Sequence, residues 1–125
     1  MVKFVFVLYR KPGLTVDEFR GYYEDKHVPL GAKYLGHLYD EYRRMYLDSP
    51  DRLSTLSGGT SGSQEGPYPD VITEITVADD DVAEWERTVS NAEIRDELSE
   101  DEGRLFDRDL SFMSVATYES GPSRR

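Results

Sequence analysis

The stretch "YYEDKHVPL", residues 22 to 30, sets Tyr23 and His27 one helical turn apart and follows them with Pro29 and Leu30. Histidine is the side chain whose charge changes near neutral pH, so a positioned ring is suited to general acid–base work on a small organic substrate. Tyr23, on the same helical face, can orient a ligand or hydrogen-bond beside the ring. Pro29 has no N–H to donate, which frees a carbonyl one turn back to fix the ring or line a pocket. Two readings of His27 stand at this point: an acid–base group, or a helix-closing histidine bonded to a carbonyl or carboxylate. Asp107 and Asp109, just before the last predicted strand, offer a carboxylate to orient the ring, with Asp109 taken as the third catalytic candidate. Flanked by Arg104 and Arg108, the same pair also reads as surface acids. Phe19, Tyr9 and Arg43 complete the candidate set as substrate-binding residues. Arg43 and its neighbour Arg44 could hold an anionic group, or guard a strand edge as solvated charges. His37 reads as a surface or turn residue.

Nothing in the sequence asks for a metal or a cofactor. The two histidines lack an HxH or HExxH spacing. No glycine-rich loop follows a strand and opens a helix, so neither a dinucleotide fingerprint nor a phosphate loop is present. The absence of Cys removes disulfides, thiolate ligands and a cysteine nucleophile.

A chain of 125 residues, 38% hydrophobic and 12% aromatic, is sized for one domain with a packed core. Its 25 acids against 15 bases give a formal charge of -10, which disfavours nucleic acid and anionic membrane as partners. The acids concentrate late: residues 79 to 109 hold 13 Asp or Glu against four Arg, read as a solvated helical surface. With no bilayer-length apolar run and no signal-peptide pattern at the start, a cytoplasmic location is expected.

The elements that must position His27 follow from periodicity. "VKFVFVLYRKPG" predicts a strand apolar on both faces, with Phe4, Phe6 and Leu8 on one side and Val5, Val7 and Tyr9 on the other, hence a central strand. Thr15 and Glu18 have capping-box spacing and open a helix whose face carries Phe19, Tyr22, Tyr23 and His27, and Pro29 predicts a break or kink. Residues 39 to 47 predict a strand. The Gly/Ser/Pro-rich run "LSGGTSGSQEGPYPD" reads as a surface connection or a lid, most mobile over residues 55 to 68. "DVITEITVA" predicts a third strand. Asp79 to Asp81 start a helix buried through Val82, Trp85 and Val89, and Ser90 with Glu93 starts another that Gly103 ends. "LSFMSVATYE" predicts the last strand. The domain is drawn as residues 1–119, with 120–125 a frayed tail.

This order, β-α-β-β-α-β with the second helix broken in two, defines an α+β, ferredoxin-like fold with a four-stranded antiparallel sheet. Helices cover one sheet face, and a homodimer through the other is the economical way to cover a two-sided apolar strand.

Taken with its particular residues, the chain resembles the EthD family of dimeric α+β barrels. The resemblance rests on the apolar first strand, its "KPG" turn, the helix beginning with "EFR", the aromatic-spacer-"HxPL" element met as Tyr23, His27, Pro29 and Leu30, and "LFDRDLSFM" before the last strand. The aromatic before the histidine is often Trp in that family and is Tyr23 here. The family is named for an association with ether-degradation genes. Related dimeric barrels act on aromatic polyketides and lactones as cyclases, dehydratases, isomerases or cofactor-independent monooxygenases, and others bind haem. The resemblance therefore implies a homodimer with a pocket for a hydrophobic small molecule. His27, Tyr23 and Asp109 would do cofactor-free lyase, cyclase, isomerase or oxygenase chemistry there. A dimeric protein that only shelters a hydrophobic metabolite is the competing expectation.

Overall fold

Strand β1, Val2–Leu8, lies inside a four-stranded sheet of order β2-β3-β1-β4, as its two-sided apolar pattern requires. The other strands are β2, Tyr39–Tyr46, β3, Val71–Val77, and β4, Phe112–Ala116, and every neighbouring pair is antiparallel. A computed structural model describes residues 1–48 and 67–121 of the chain. The Gly/Ser-rich run read as a connection or lid lies, except for residues 67–70, outside the described residues, as do residues 122–125 of the tail.

The turn after β1 uses Gly13 at φ 98°, a left-handed conformation that glycine adopts without steric cost. Helix α1, Val16–Tyr22, then starts at the expected capping box. The Glu18 N–H donates to Thr15 Oγ1 at 3.1 Å, and the Thr15 N–H to Glu18 Oε1 at 2.9 Å. Pro29 does not break the helix. Residues Tyr23–His27 widen into a π turn, and α2, Val28–Leu35, continues from it with Pro29 in its first turn. Val28 stays helical at φ -60° and ψ -49°. A proline ring clashes with the carbonyl four residues back, and a wider turn relieves that crowding without ending the helix.

After β3 comes a 3₁₀ turn, Asp79–Asp81, then α3, Val82–Ser90, and α4, Ala92–Leu105. The cap of α4 is Asn91, not Ser90: its Oδ1 accepts from the N–H groups of Glu93 at 3.1 Å and Ile94 at 3.2 Å. Nor does Gly103 end α4, which runs on to Leu105. A Cβ at Gly103 would come within 2.6 Å of the Arg108 guanidinium, so the missing side chain seats Arg108 against the helix. The end of α4 is stitched to the exit of β1 by an antiparallel bridge between Arg10 and Phe106. Two backbone bonds reinforce it, Lys11 N–H to the Leu105 carbonyl at 3.0 Å and Asp107 N–H to the Tyr9 carbonyl at 2.8 Å.

The helices cover one face of the sheet with two apolar clusters. Leu8, Phe19, Tyr23, Val71, Leu105 and Phe106 form the first. Leu35, Leu38, Ile75, Val77 and Trp85 form the second, with Phe4 stacked on Trp85 at 5.4 Å between ring centroids. The opposite face is apolar in one row only, where the register aligns Met45, Ile72, Val7 and Phe112 across all four strands. The next rows carry Arg43, Glu74 and Lys3. Among the described residues no helix is long and apolar enough to cross a membrane.

Candidate acid–base cleft

The π turn delivers Tyr23 and His27 to the seam between the helices and the sheet. Tyr23 is 1% exposed, and its hydroxyl is hydrogen-bonded to Thr73 Oγ1 at 2.7 Å and to the Tyr42 hydroxyl at 3.1 Å. Burial pushes the Tyr23 phenol up, and the Tyr42 phenol far above the ordinary tyrosine range. Both rings therefore stay neutral and serve as hydrogen-bonded walls. The edge of Tyr23 meets the His27 ring at a centroid distance of 5.5 Å, and Phe106 meets it at the same distance from another side.

His27 Nδ1 lies 2.7 Å from Asp101 Oδ2. Asp101 is 5% exposed, and its other oxygen accepts from the Tyr22 hydroxyl at 2.5 Å. Arg104 adds a guanidinium at 3.7 Å from Asp101 Oδ1. The hydrogen bond to the Asp101 carboxylate, then burial, raises the Tyr22 phenol, which keeps that hydroxyl a donor. With the carboxylate accepting the Nδ1 proton, the neutral ring carries its lone pair at Nε2. This is a buried acid orienting a histidine, with a tyrosine holding the acid.

His27 lines two adjoining cavities. One, of about 120 Å³, is bordered by Leu35, Tyr39, Tyr42, Ile75, Trp85 and Leu98. The other, of about 60 Å³, lies against Phe6, Leu8, Tyr23, Thr73 and Phe106. A cleft walled by aromatic and aliphatic groups with few polar atoms suits a small hydrophobic ligand. Beneath it, the π turn is tied to β2 through Glu24, which receives two bonds from Arg44 at 2.7 and 2.8 Å and one from the Tyr46 hydroxyl at 2.6 Å. Those bonds, led by the Arg44 guanidinium, hold the Glu24 carboxyl below the usual range.

Of the residues expected at the site, the structure brings His27 and Tyr23 together. Phe19 is 1% exposed and packs edge-on against Tyr23 and Phe106, beneath the cleft. Tyr9 borders a separate pocket near Arg10, Asp70 and Asp107. Arg43 is exposed on the outer sheet face, because the alternation of β2 turns its neighbour Arg44 inward. Asp109 is exposed beyond α4, its N–H donating to Asp107 Oδ1 at 3.0 Å, and Asp107 also receives the Leu110 N–H. Asp107 thus stabilises a turn, and the carboxylate that reaches His27 is Asp101. Sequence reasoning missed Asp101, Tyr22 and Tyr42. The available signal was that Asp101 interrupts the apolar stripe of Leu98 and Leu105 at helical spacing. His37 is exposed, 3.5 Å from Glu84. Among the described residues no group of three His, Asp or Glu could hold a metal ion.

The sheet order, the two-part second helix and the cleft under the first define a ferredoxin-like α+β protein with an oriented histidine at a hydrophobic pocket. Residues 11–109 match the family model of the EthD domain, and the chain belongs to that family. The solved structure of an ethyl tert-butyl ether D (EthD) family protein from Bacillus halodurans C-125 superposes with a TM-score of 0.58 at 17% identity, covering 95% of this chain and 99% of the other. An EthD-like protein from Ralstonia eutropha JMP134 gives a TM-score of 0.48 at 18% identity, over 92% and 89% of the two chains. No curated protein matches the sequence.

Proposed function

We propose that the cleft binds a hydrophobic or aromatic metabolite and that His27 moves a proton on it without a cofactor, in a step of the lyase, cyclase, isomerase or oxygenase type. The protein would act as a cytoplasmic homodimer. The observation that carries this reading is the Asp101–His27 pair at the wall of an apolar cleft. Asp101 fixes the ring and stabilises the imidazolium formed when Nε2 takes a proton. Tyr22 and Arg104 hold the Asp101 carboxylate in place. The aromatic walls exclude water, which strengthens the electrostatics of the transfer.

The test uses β-tetralone, an aromatic ketone with acidic C–H groups, incubated with the protein in deuterated buffer. Proton NMR should show deuterium entering beside the carbonyl faster than in buffer alone. His27→Gln, which keeps hydrogen bonding but cannot exchange a ring proton, should lose about 10²-fold or more of that rate while remaining folded. Saturable binding of the ketone with no acceleration of exchange would discard the enzymatic reading in favour of a binding protein. Undiminished exchange by a folded His27→Gln would remove His27 from the chemistry.

A further inference from the structure

Glu102 follows Asp101 on α4 and borders both His27 cavities. It also borders a third, of about 220 Å³, lined by Leu8, Phe106, Arg108, Ser111, Phe112 and Met113. It is thus the one side chain shared by all three, at the point where they meet. Its carboxyl makes no hydrogen bond or ion pair among the described residues, although Asp101, one position earlier, has His27, Tyr22 and Arg104 around it. The structural work of α4 in this region is done by Asp101 and the apolar stripe, and Glu102 has no part in it.

We propose that Glu102 is the second proton-transfer group of the cleft, working opposite His27 on an enolisable ketone attached to or fused with an aromatic ring. The proposal rests on the His27 reading above and assigns its substrate class. His27 Nε2 takes a proton from the carbon beside the carbonyl. The C–H electron pair becomes the new carbon–carbon π bond, the carbonyl π pair moves to oxygen, and that oxygen takes the proton of the Glu102 carboxyl. The products are an enol, an imidazolium and a carboxylate. In the return step the carboxylate withdraws the enol proton while His27 delivers its own to the same or a vinylogous carbon. No electron is gained or lost by the protein, and no co-reactant is consumed.

Two features suit Glu102 to the acid role. Residue 102 borders the His27 cavities although it is exposed, and partial desolvation raises its carboxyl pKa above the ordinary 4.5. A carboxyl that holds its proton more tightly than an ordinary glutamate is suited to donate to a developing enolate. The titratable and charged groups around it are His27 and Tyr23 from the π turn, Tyr39 and Tyr42 from β2, Arg108 from the segment after α4, and Asp101 from its own helix. His27 and Arg108 oppose the upward shift and Asp101 adds to it.

The same β-tetralone exchange, followed against pH, tests the assignment. Wild type should give a bell. Its alkaline limb falls as pH rises through the folded pKa of Glu102, which burial raises. Glu102→Gln should lower exchange by about 10²-fold and abolish the alkaline limb, because the amide can donate a hydrogen bond but cannot give up a proton. Glu102→Asp, a shorter acid, should restore that limb at a reduced rate. A Glu102→Gln protein with wild-type rate and profile, beside an inactive His27→Gln, would overturn the role of Glu102 and leave that of His27 standing. Wild type no faster than buffer would overturn both. Loss of near-ultraviolet circular dichroism in both Glu102 variants would show that the carboxyl is structural and overturn the proposal.

Discussion

Asp101 orients the His27 ring, and the Tyr22 hydroxyl holds the carboxylate that does so. His27 and Tyr23 were legible because four-residue spacing places them on one helical face with Phe19, whatever the rest of the chain does. The partner of His27 was not, because it comes from 74 residues away and sits in a run of acids whose composition says only that the surface is charged. Helical phase inside that run carries the information: Leu98, Asp101 and Leu105 are three and four apart, so the aspartate had to point inward and needed a donor. Asp101→Ala leaves the Tyr22 hydroxyl and the His27 Nδ1–H without their acceptor. It should therefore destabilise the fold by about 1–3 kcal/mol, chiefly through the His27 N–H left buried and unpaired, since the Tyr22 hydroxyl is only partly buried. Asp101→Asn, whose amide oxygen still accepts one bond, should cost less. Urea denaturation of the three proteins checks the order, and an Asp101→Ala variant as stable as wild type would show that the carboxylate holds nothing in place.

At the scale of elements, periodicity located the four strands and α1, α3 and α4, and errors gathered at element ends and at the π turn. The Thr15 box was readable because both of its members are within four residues. Ser90 and Glu93 have the same spacing, but Asn91 intervenes with an amide oxygen that accepts from two N–H groups of the helix it opens, and the cap moved by one residue. Pro29 predicted a break or kink because local rules consider only the normal α turn. The chain instead widened into a π turn, held by contacts remote in sequence: Glu24 to Arg44 and Tyr46, Tyr23 to Thr73, His27 to Asp101. Such turns are frequent at functional sites, and this one carries the residue the cleft depends on. Gly103 misled in a related way, since its purpose lies in Arg108 five residues on.

At the scale of the molecule, the order of strands and the single helical layer followed from the sequence, while the amount of apolar surface on the open face did not. The two-sided apolar pattern of β1 led to the expectation of a homodimer through this face. The face shows one apolar row, Met45, Ile72, Val7 and Phe112, beside rows holding Arg43, Glu74 and Lys3. Phe112 is 56% exposed and Met45 44%. The homodimer we propose would close over that row, so Val7→Lys, which puts a charge in its middle, should yield monomers with the sheet intact. Light scattering at micromolar concentration checks this, and a wild-type monomer at both low and high salt would defeat it. The stitching of Arg10, Lys11 and Tyr9 to Leu105, Phe106 and Asp107 has a further consequence, for how a guest reaches His27. It makes α4 a lever fixed at its far end. Near Asn91 the backbone bonds of the helix stay within α3 and α4, and Glu97 meets α2 only through the Tyr34 hydroxyl. At the Leu98 end of α4 an outward swing breaks no sheet-to-helix backbone bond, so amide hydrogens there should exchange faster than those at Leu105 and Phe106.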